Sequence, residues 1–251
     1  MKKYPEKPET VYYFGTCLMD AIYPAAGLAG LKLIQREGVQ VIYPRQQSCC
    51  GQPAYNSGFP KEAKKVALKQ VRLFAEDYPI VVPSGSCAGM MKEHYPALFR
   101  DTPLETTAIT LSKRVVELTA FLVDVLDLRL EDLGDPQKVA IHSSCSALRE
   151  MQVGDRIETL VSSLKRLEKV EQAYKRECCG FGGTFSVKQP EISGAMVADK
   201  TASIRESGAD ILVSQDCGCL MNIAGAFDKQ GDGPRCLHIA ELLWERTHAD
   251  D

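Results

Sequence analysis

Cysteines dominate what this chain can fold into, because their order repeats. Cys17, Cys49, Cys50 and Cys87 read C-x31-CC-x36-C, and Cys145, Cys178, Cys179 and Cys219 read C-x32-CC-x39-C. Closing the second set on Cys217 instead would make its last interval x37. A period of about 130 residues carried by four cysteines at a time marks two copies of one structural unit in tandem. Whatever fold the first half adopts, the second must share.

The contexts repeat along with the spacings. "TVYYFGTC" ends at Cys17 and "KVAIHSSC" at Cys145, while "PIVVPSGSC" ends at Cys87 and "DILVSQDCGC" at Cys219. Each is an apolar, β-branched run that predicts a strand closing on cysteine. Between them, apolar residues at three- and four-residue intervals predict helices over 18–37, 61–76, 156–170 and 191–207. Strands alternating with helices predict an α/β fold of two homologous domains, each a mainly parallel sheet flanked by helices with its cysteines at strand ends. That is where parallel sheets gather functional groups. Residues 106–130 read as one long apolar-rich helix joining the halves. The expected boundary lies near Gly134, giving cysteine-rich domains over 1–133 and 134–251.

Adjacent cysteines on an extended strand point to opposite faces, so aiming both sulfurs at one target requires the backbone to turn. Gly51 and Gly180, each following a Cys-Cys pair, permit such a turn. Neither half has the C-x2-C knuckle from which structural zinc sites are commonly built. A single zinc also has little room for two neighbouring thiolates, whereas an iron–sulfur cluster offers several irons close together. The pairs therefore favour iron–sulfur clusters, one per half, with zinc in one half as the alternative. The "GFGG" run at 180–183 suits a backbone approaching cluster sulfurs and lacks the patterns of a phosphate-binding loop.

Composition removes other classes. The formal net charge is -3 with both signs dispersed, which argues against a nucleic-acid surface. Hydrophobic residues make up 45% of the chain, enough for a core without disulfide staples. There is no uncharged apolar run long enough for membrane insertion, and the amino-terminal segment lacks the apolar stretch of a secretory signal. A cytoplasmic protein with reduced thiols is expected. No Ser-His-Asp or Cys-His set and no flavin or nicotinamide fingerprint stands out, so no catalytic residue is assigned and enzyme status stays open.

The repeated CCG with flanking cysteines resembles the CCG cysteine-rich domain family. That domain pair occurs in the heterodisulfide reductases, in the iron–sulfur subunit of glycolate oxidase and in the anaerobic glycerol-3-phosphate dehydrogenases. The resemblance covers nearly the whole chain. It implies that Cys17, Cys49, Cys50 and Cys87 hold the metal cofactor of the first site and Cys145, Cys178, Cys179 and Cys219 that of the second. The fullest form of the family motif ends in C-x-x-C, with five cysteines per site and noncubane clusters in heterodisulfide reductase. Here those last positions are Met90 and Asn222. Four thiolates complete an ordinary [4Fe-4S] cluster, although some relatives place zinc in one such site. In function, the resemblance implies an electron-transfer component of a multi-protein system that oxidises L-lactate to pyruvate, with other iron–sulfur subunits as partners. A disulfide-reducing enzyme acting at a cluster and a zinc-stabilised interaction module are the alternatives. Cys217 is a possible further ligand, whereas Cys236 and Met90 read as packing residues and His142 as a hydrogen-bonded scaffold.

Overall fold

The computed structural model describes residues 6–173 and 175–248. Residues 1–5, on which part of the expectation about a secretory signal rests, lie outside the described residues. Strands β1 (Thr10–Tyr13), β2 (Gln40–Ile42), β3 (Ile80–Val82) and β4 (Val115–Glu117) form one sheet in the order β2-β1-β3-β4. Strands β5 (Gln137–His142), β6 (Leu167–Lys169), β7 (Ile211–Ser214) and β8 (Arg235–His238) form a second in the order β6-β5-β7-β8. Every pairing is parallel, with Val11 opposite Val41 in the first sheet and Val139 opposite Ile211 in the second. The inner strands β3 and β7 are buried throughout, and their apolar runs Ile80–Val82 and Ile211–Val213 suit a sheet covered on both faces.

The helices depart from the sequence reading where proline or a strand intervenes. The segment 18–37 is two helices, Cys17–Ile22 and Pro24–Arg36. Tyr23, pushed out of helical geometry by the proline after it, separates them at φ -122° and ψ 52°. The helix at 61–76 spans Pro60–Leu73 and that at 191–207 spans Pro190–Glu206. The helix expected over 156–170 is Gly154–Ser163, because Leu167–Lys169 leaves it to pair as β6. The long connecting helix is likewise absent. Glu105–Arg114 is helical, Val115–Glu117 forms β4 beside β3, and Leu118–Ala120 and Phe121–Val125 make a short helical and π-helical stretch. Two adjacent valines, both buried, gain more from completing the sheet than from extending a helix.

The two halves interlock through these last elements. The carboxy-terminal helix Ile239–Thr247 follows β8 but packs on Pro24–Arg36 of the first half, with Lys32 Nζ 4.9 Å from the Trp244 ring centre. Reciprocally, the stretch after β4 packs on Gly154–Ser163 of the second half, where Arg156 Nε donates to Asp124. One hydrophobic cluster runs through both halves, from Val11 and Val81 to Val213 and Leu243. Arg246 anchors the terminal helix by donating to Asp132 Oδ1 at 2.8 Å and to the Asp135 carbonyl at 2.9 Å. Among the described residues, no helix is long and apolar enough to cross a membrane.

Candidate metal centres

The four cysteine-bearing strands end alike. A few residues beyond each, a capped helix begins and carries cysteine in its first turn. Thr16 accepts from the Met19 amide ahead of Cys17–Ile22, and Ser144 from the Ala147 amide ahead of Cys145–Arg149. Ser84 accepts from the Cys87 amide, and Asp216 from the Gly218 amide ahead of Cys219.

The remaining sulfurs come from the CCG turns. Gly51 has φ +92° and Gly180 φ +85°, a conformation that side chains resist. A Cβ on Gly51 would lie 3.0 Å from the Ala63 carbonyl oxygen, and one on Gly180 2.9 Å from that of Ser193. The glycines thus serve both the turn and the close approach of the following helix. Their amides donate to the first cysteine of each pair, Gly51 N to Cys49 Sγ and Gly180 N to Cys178 Sγ, both at 3.4 Å.

In each set the sulfurs lie one beside the next along a single path. The neighbouring Cys17 and Cys50 thiols favour a charged Cys49, which pulls its pKa down to about 3 and pushes theirs up. Cys50 Sγ lies 3.3 Å from Cys87 Sγ. In the second half, the neighbouring Cys145 and then Cys179 favour a charged Cys178, which lowers its pKa, and Cys179 Sγ lies within 4.8 Å of Cys219 Sγ. The contacts therefore run 17–49–50–87 and 145–178–179–219, the same path twice. All eight donors are soft thiols, a set suited to iron–sulfur clusters or zinc.

The pairs are held from behind. Tyr95 Oη donates to the Cys50 carbonyl at 2.8 Å, and Asn222 Nδ2 to the Cys179 carbonyl at 2.7 Å. Asn222, notable in the sequence only for not being cysteine, positions the turn. Met90 is 1% exposed and belongs to the core. Cys217 is buried against Met19 and Ala26 of the first half. Counted from Cys219 it stands where Gly85 stands relative to Cys87. The Cys236 thiol, on β8, faces the Pro234 carbonyl at 3.6 Å and packs against the core of the second sheet.

His142 departs from the scaffold reading. It is 1% exposed, yet neither ring nitrogen has a hydrogen-bond partner. A ring nitrogen lies with Cys179 Sγ and Cys219 Sγ in a group whose atoms are all within 4.8 Å of one another. Burial, and secondarily the charge of Lys200, push its pKa down to about 3. Lys200, buried on Pro190–Glu206, and Glu117, buried at the end of β4, are further groups that the sequence pattern does not single out.

The two sites adjoin a common seam. The helix of Cys87 packs against that of Cys145, where a Cβ on Gly85 would come within 2.8 Å of Ala147 Cβ. The Ser86 amide donates to Asp216 Oδ2 at 2.8 Å, and the Ser84 hydroxyl donates to the same oxygen. Ser57 and Thr184 hydrogen-bond between the segments that follow the two CCG turns.

Residues 11–92 and 139–224 each match the family described as the cysteine-rich domain CCG. Lactate utilization protein A of Oceanobacillus iheyensis is 43% identical over 96% of this chain and 98% of its own length. The protein of the same name from Geobacillus kaustophilus is 46% identical over 94% of this chain and 99% of its own. A solved structure, a hypothetical protein from Helicobacter pylori, superposes over 99% of this chain and 51% of that one, with a TM-score of 0.68 at 12% identity, a likeness of fold.

Proposed function

The chain belongs to the CCG cysteine-rich domain family, alongside the lactate utilization A proteins, and from that premise we propose that it is an iron–sulfur electron-transfer component of a multi-protein system oxidising L-lactate to pyruvate. The observation that supports this most is that four thiols line up one beside the next along the same path twice, 17–49–50–87 and 145–178–179–219. Bound to such thiolates, an iron–sulfur cluster supplies reversible electron storage. The chain's own groups prepare for it. Cys49 and Cys178 favour the thiolate that ligation requires, and the Gly51 and Gly180 amides donate to those sulfurs, as outer-sphere donors that tune a metal do. Tyr95 and Asn222 fix the turns, and burial of Cys50, Cys87, Cys179 and Cys219 keeps water from half of the donors.

A relay protein needs no lactate pocket of its own, and one apolar cavity among the described residues suits a carboxylate poorly. The cavity of about 300 Å³ beside the Cys17 helix is lined by apolar side chains such as Met19, Leu28 and Leu31 together with Asp20, whose charge repels a carboxylate. The partners we propose are the other iron–sulfur subunits of that system, in the cytoplasm.

Protein purified without oxygen is expected to contain iron and acid-labile sulfide. Cys50→Ser and Cys179→Ser should each remove one site's share of both and alter the electron paramagnetic resonance spectrum, while Cys236→Ser leaves it unchanged. Zinc without sulfide would refute the cluster reading. Lactate turnover by the isolated chain with an artificial acceptor would refute the relay.

A further inference from the structure

His142 is the last residue of β5, three positions before Cys145. A neutral imidazole has one donor and one acceptor nitrogen, and leaving both unmet in the interior is unfavourable unless another group occupies one. Here both are idle, and the ring is aimed at Cys179 and Cys219, the two most deeply buried sulfurs of the second set. Asn222, by contrast, directs its Nδ2 to the Cys179 carbonyl and supports the backbone of the turn. The first half has no equivalent. Three positions before Cys17 stands Phe14, fully buried and packed edge-on against Phe74 at 5.9 Å between ring centres. Within two otherwise matching frames, one strand end has acquired a metal-ligating ring where the other keeps a hydrocarbon one.

We propose that the second metal site is a mixed nitrogen and sulfur site, in which His142 supplies a ring nitrogen beside Cys179 and Cys219 and takes the place of one thiolate of the second set in the four-donor shell, and that the first site is held by sulfur alone. This rests on the reading that the cysteine sets bind metal. Imidazole coordinates iron and zinc alike, and as a neutral donor it fills that place without adding negative charge. The two sites therefore differ in coordination although their cysteines do not.

The test uses the full chain, purified without oxygen and labelled with [15N]histidine. Metal and sulfide analysis comes first. If the second site holds iron, pulsed electron paramagnetic resonance of the reduced protein is expected to show one strongly coupled histidine nitrogen. If it holds zinc, X-ray absorption at the zinc edge is expected to show a nitrogen scatterer among the sulfurs. The signal should vanish in His142→Phe, which installs the first half's residue, and persist in His94→Gln. A second-site metal bound by sulfur alone, or a nitrogen signal that survives in His142→Phe, overturns the proposal while leaving metal binding intact. Absence of any metal overturns both. If His142→Phe does not fold, the labelled wild-type chain decides alone.

Discussion

Glu117 offers a test of how the seam between the halves is built. Its side chain is fully buried at the end of β4. Oε2 accepts from the Thr119 amide at 2.8 Å, the Ala120 amide at 3.3 Å and the Thr119 hydroxyl, while Oε1 has no partner. Burial raises its pKa from 4.5 to about 7, with the hydrogen bonds from Thr119 and Ala120 opposing and Asp216 adding to the rise. A carboxyl whose folded pKa is raised contributes its full stability below the unfolded value, and that contribution is lost as pH rises through the folded one. The window is therefore 4.5 to about 7, roughly two and a half pH units. At about 1.4 kcal/mol per unit the loss approaches ~3 kcal/mol.

Glu117→Gln keeps an oxygen to accept from Thr119 and Ala120 but cannot ionise. Its absolute stability carries the unknown fit of an amide nitrogen where Oε1 stood. The pH dependence of the difference from wild type is free of that offset. Urea unfolding of anaerobically prepared protein, variant beside wild type at fixed ionic strength, should show the variant gaining on wild type by up to ~3 kcal/mol from about pH 4.5 to pH 7 and no further above it. A difference that stays constant over that range would mean that Glu117 titrates normally and that the seam is wetter than its burial implies.

Two further perturbations bear on the frame. Gly51→Ala and Gly180→Ala force a side chain into φ above +80° and against a backbone oxygen, so each should destabilise by roughly 1–3 kcal/mol and lower the metal content of its own site, read by unfolding and metal analysis. By contrast, Gly225→Ala, exposed within the helix Cys217–Gln230 with open space around it, should stabilise by up to about 1 kcal/mol. Arg246→Ala leaves Asp132 buried without its partner, and urea midpoints should report a loss of roughly 3–5 kcal/mol. A loss well under about 1 kcal/mol would place that pair in solvent.

Which parts of this were legible in the sequence depended on the kind of signal each carried. The duplicated cysteine spacing led to two equivalent parallel sheets, because ligand spacing and strand ends are set by backbone length. The glycines of the CCG turns were equally legible, since positive φ leaves few alternatives. β4 and β6 were not. Val115–Glu117 lies inside a helical apolar period, and Leu167–Lys169 is a polar edge strand, so only pairing with β3 and β5 identifies them. His142 was visible as a residue but not as an idle one. That property appears only when the absence of partners for its nitrogens can be checked in three dimensions.

The frame residues of the two halves match, and the lining residues do not. Thr16 and Ser144 cap equivalent helices, and Gly51 and Gly180 make equivalent turns. Ten positions into the helix that follows each turn, however, Gln70 stands in the first half and Lys200 in the second. Gln70 donates to Ser48 Oγ and the Cys49 carbonyl, whereas Lys200 is a buried amine whose pKa is pushed down by burial. Glu117 closes β4 where His238 closes β8, and both cap the stretch that crosses to the opposite half. Duplication fixes two sites at a short stretch of shared seam, and substitution around them changes charge and donor type without moving the thiols.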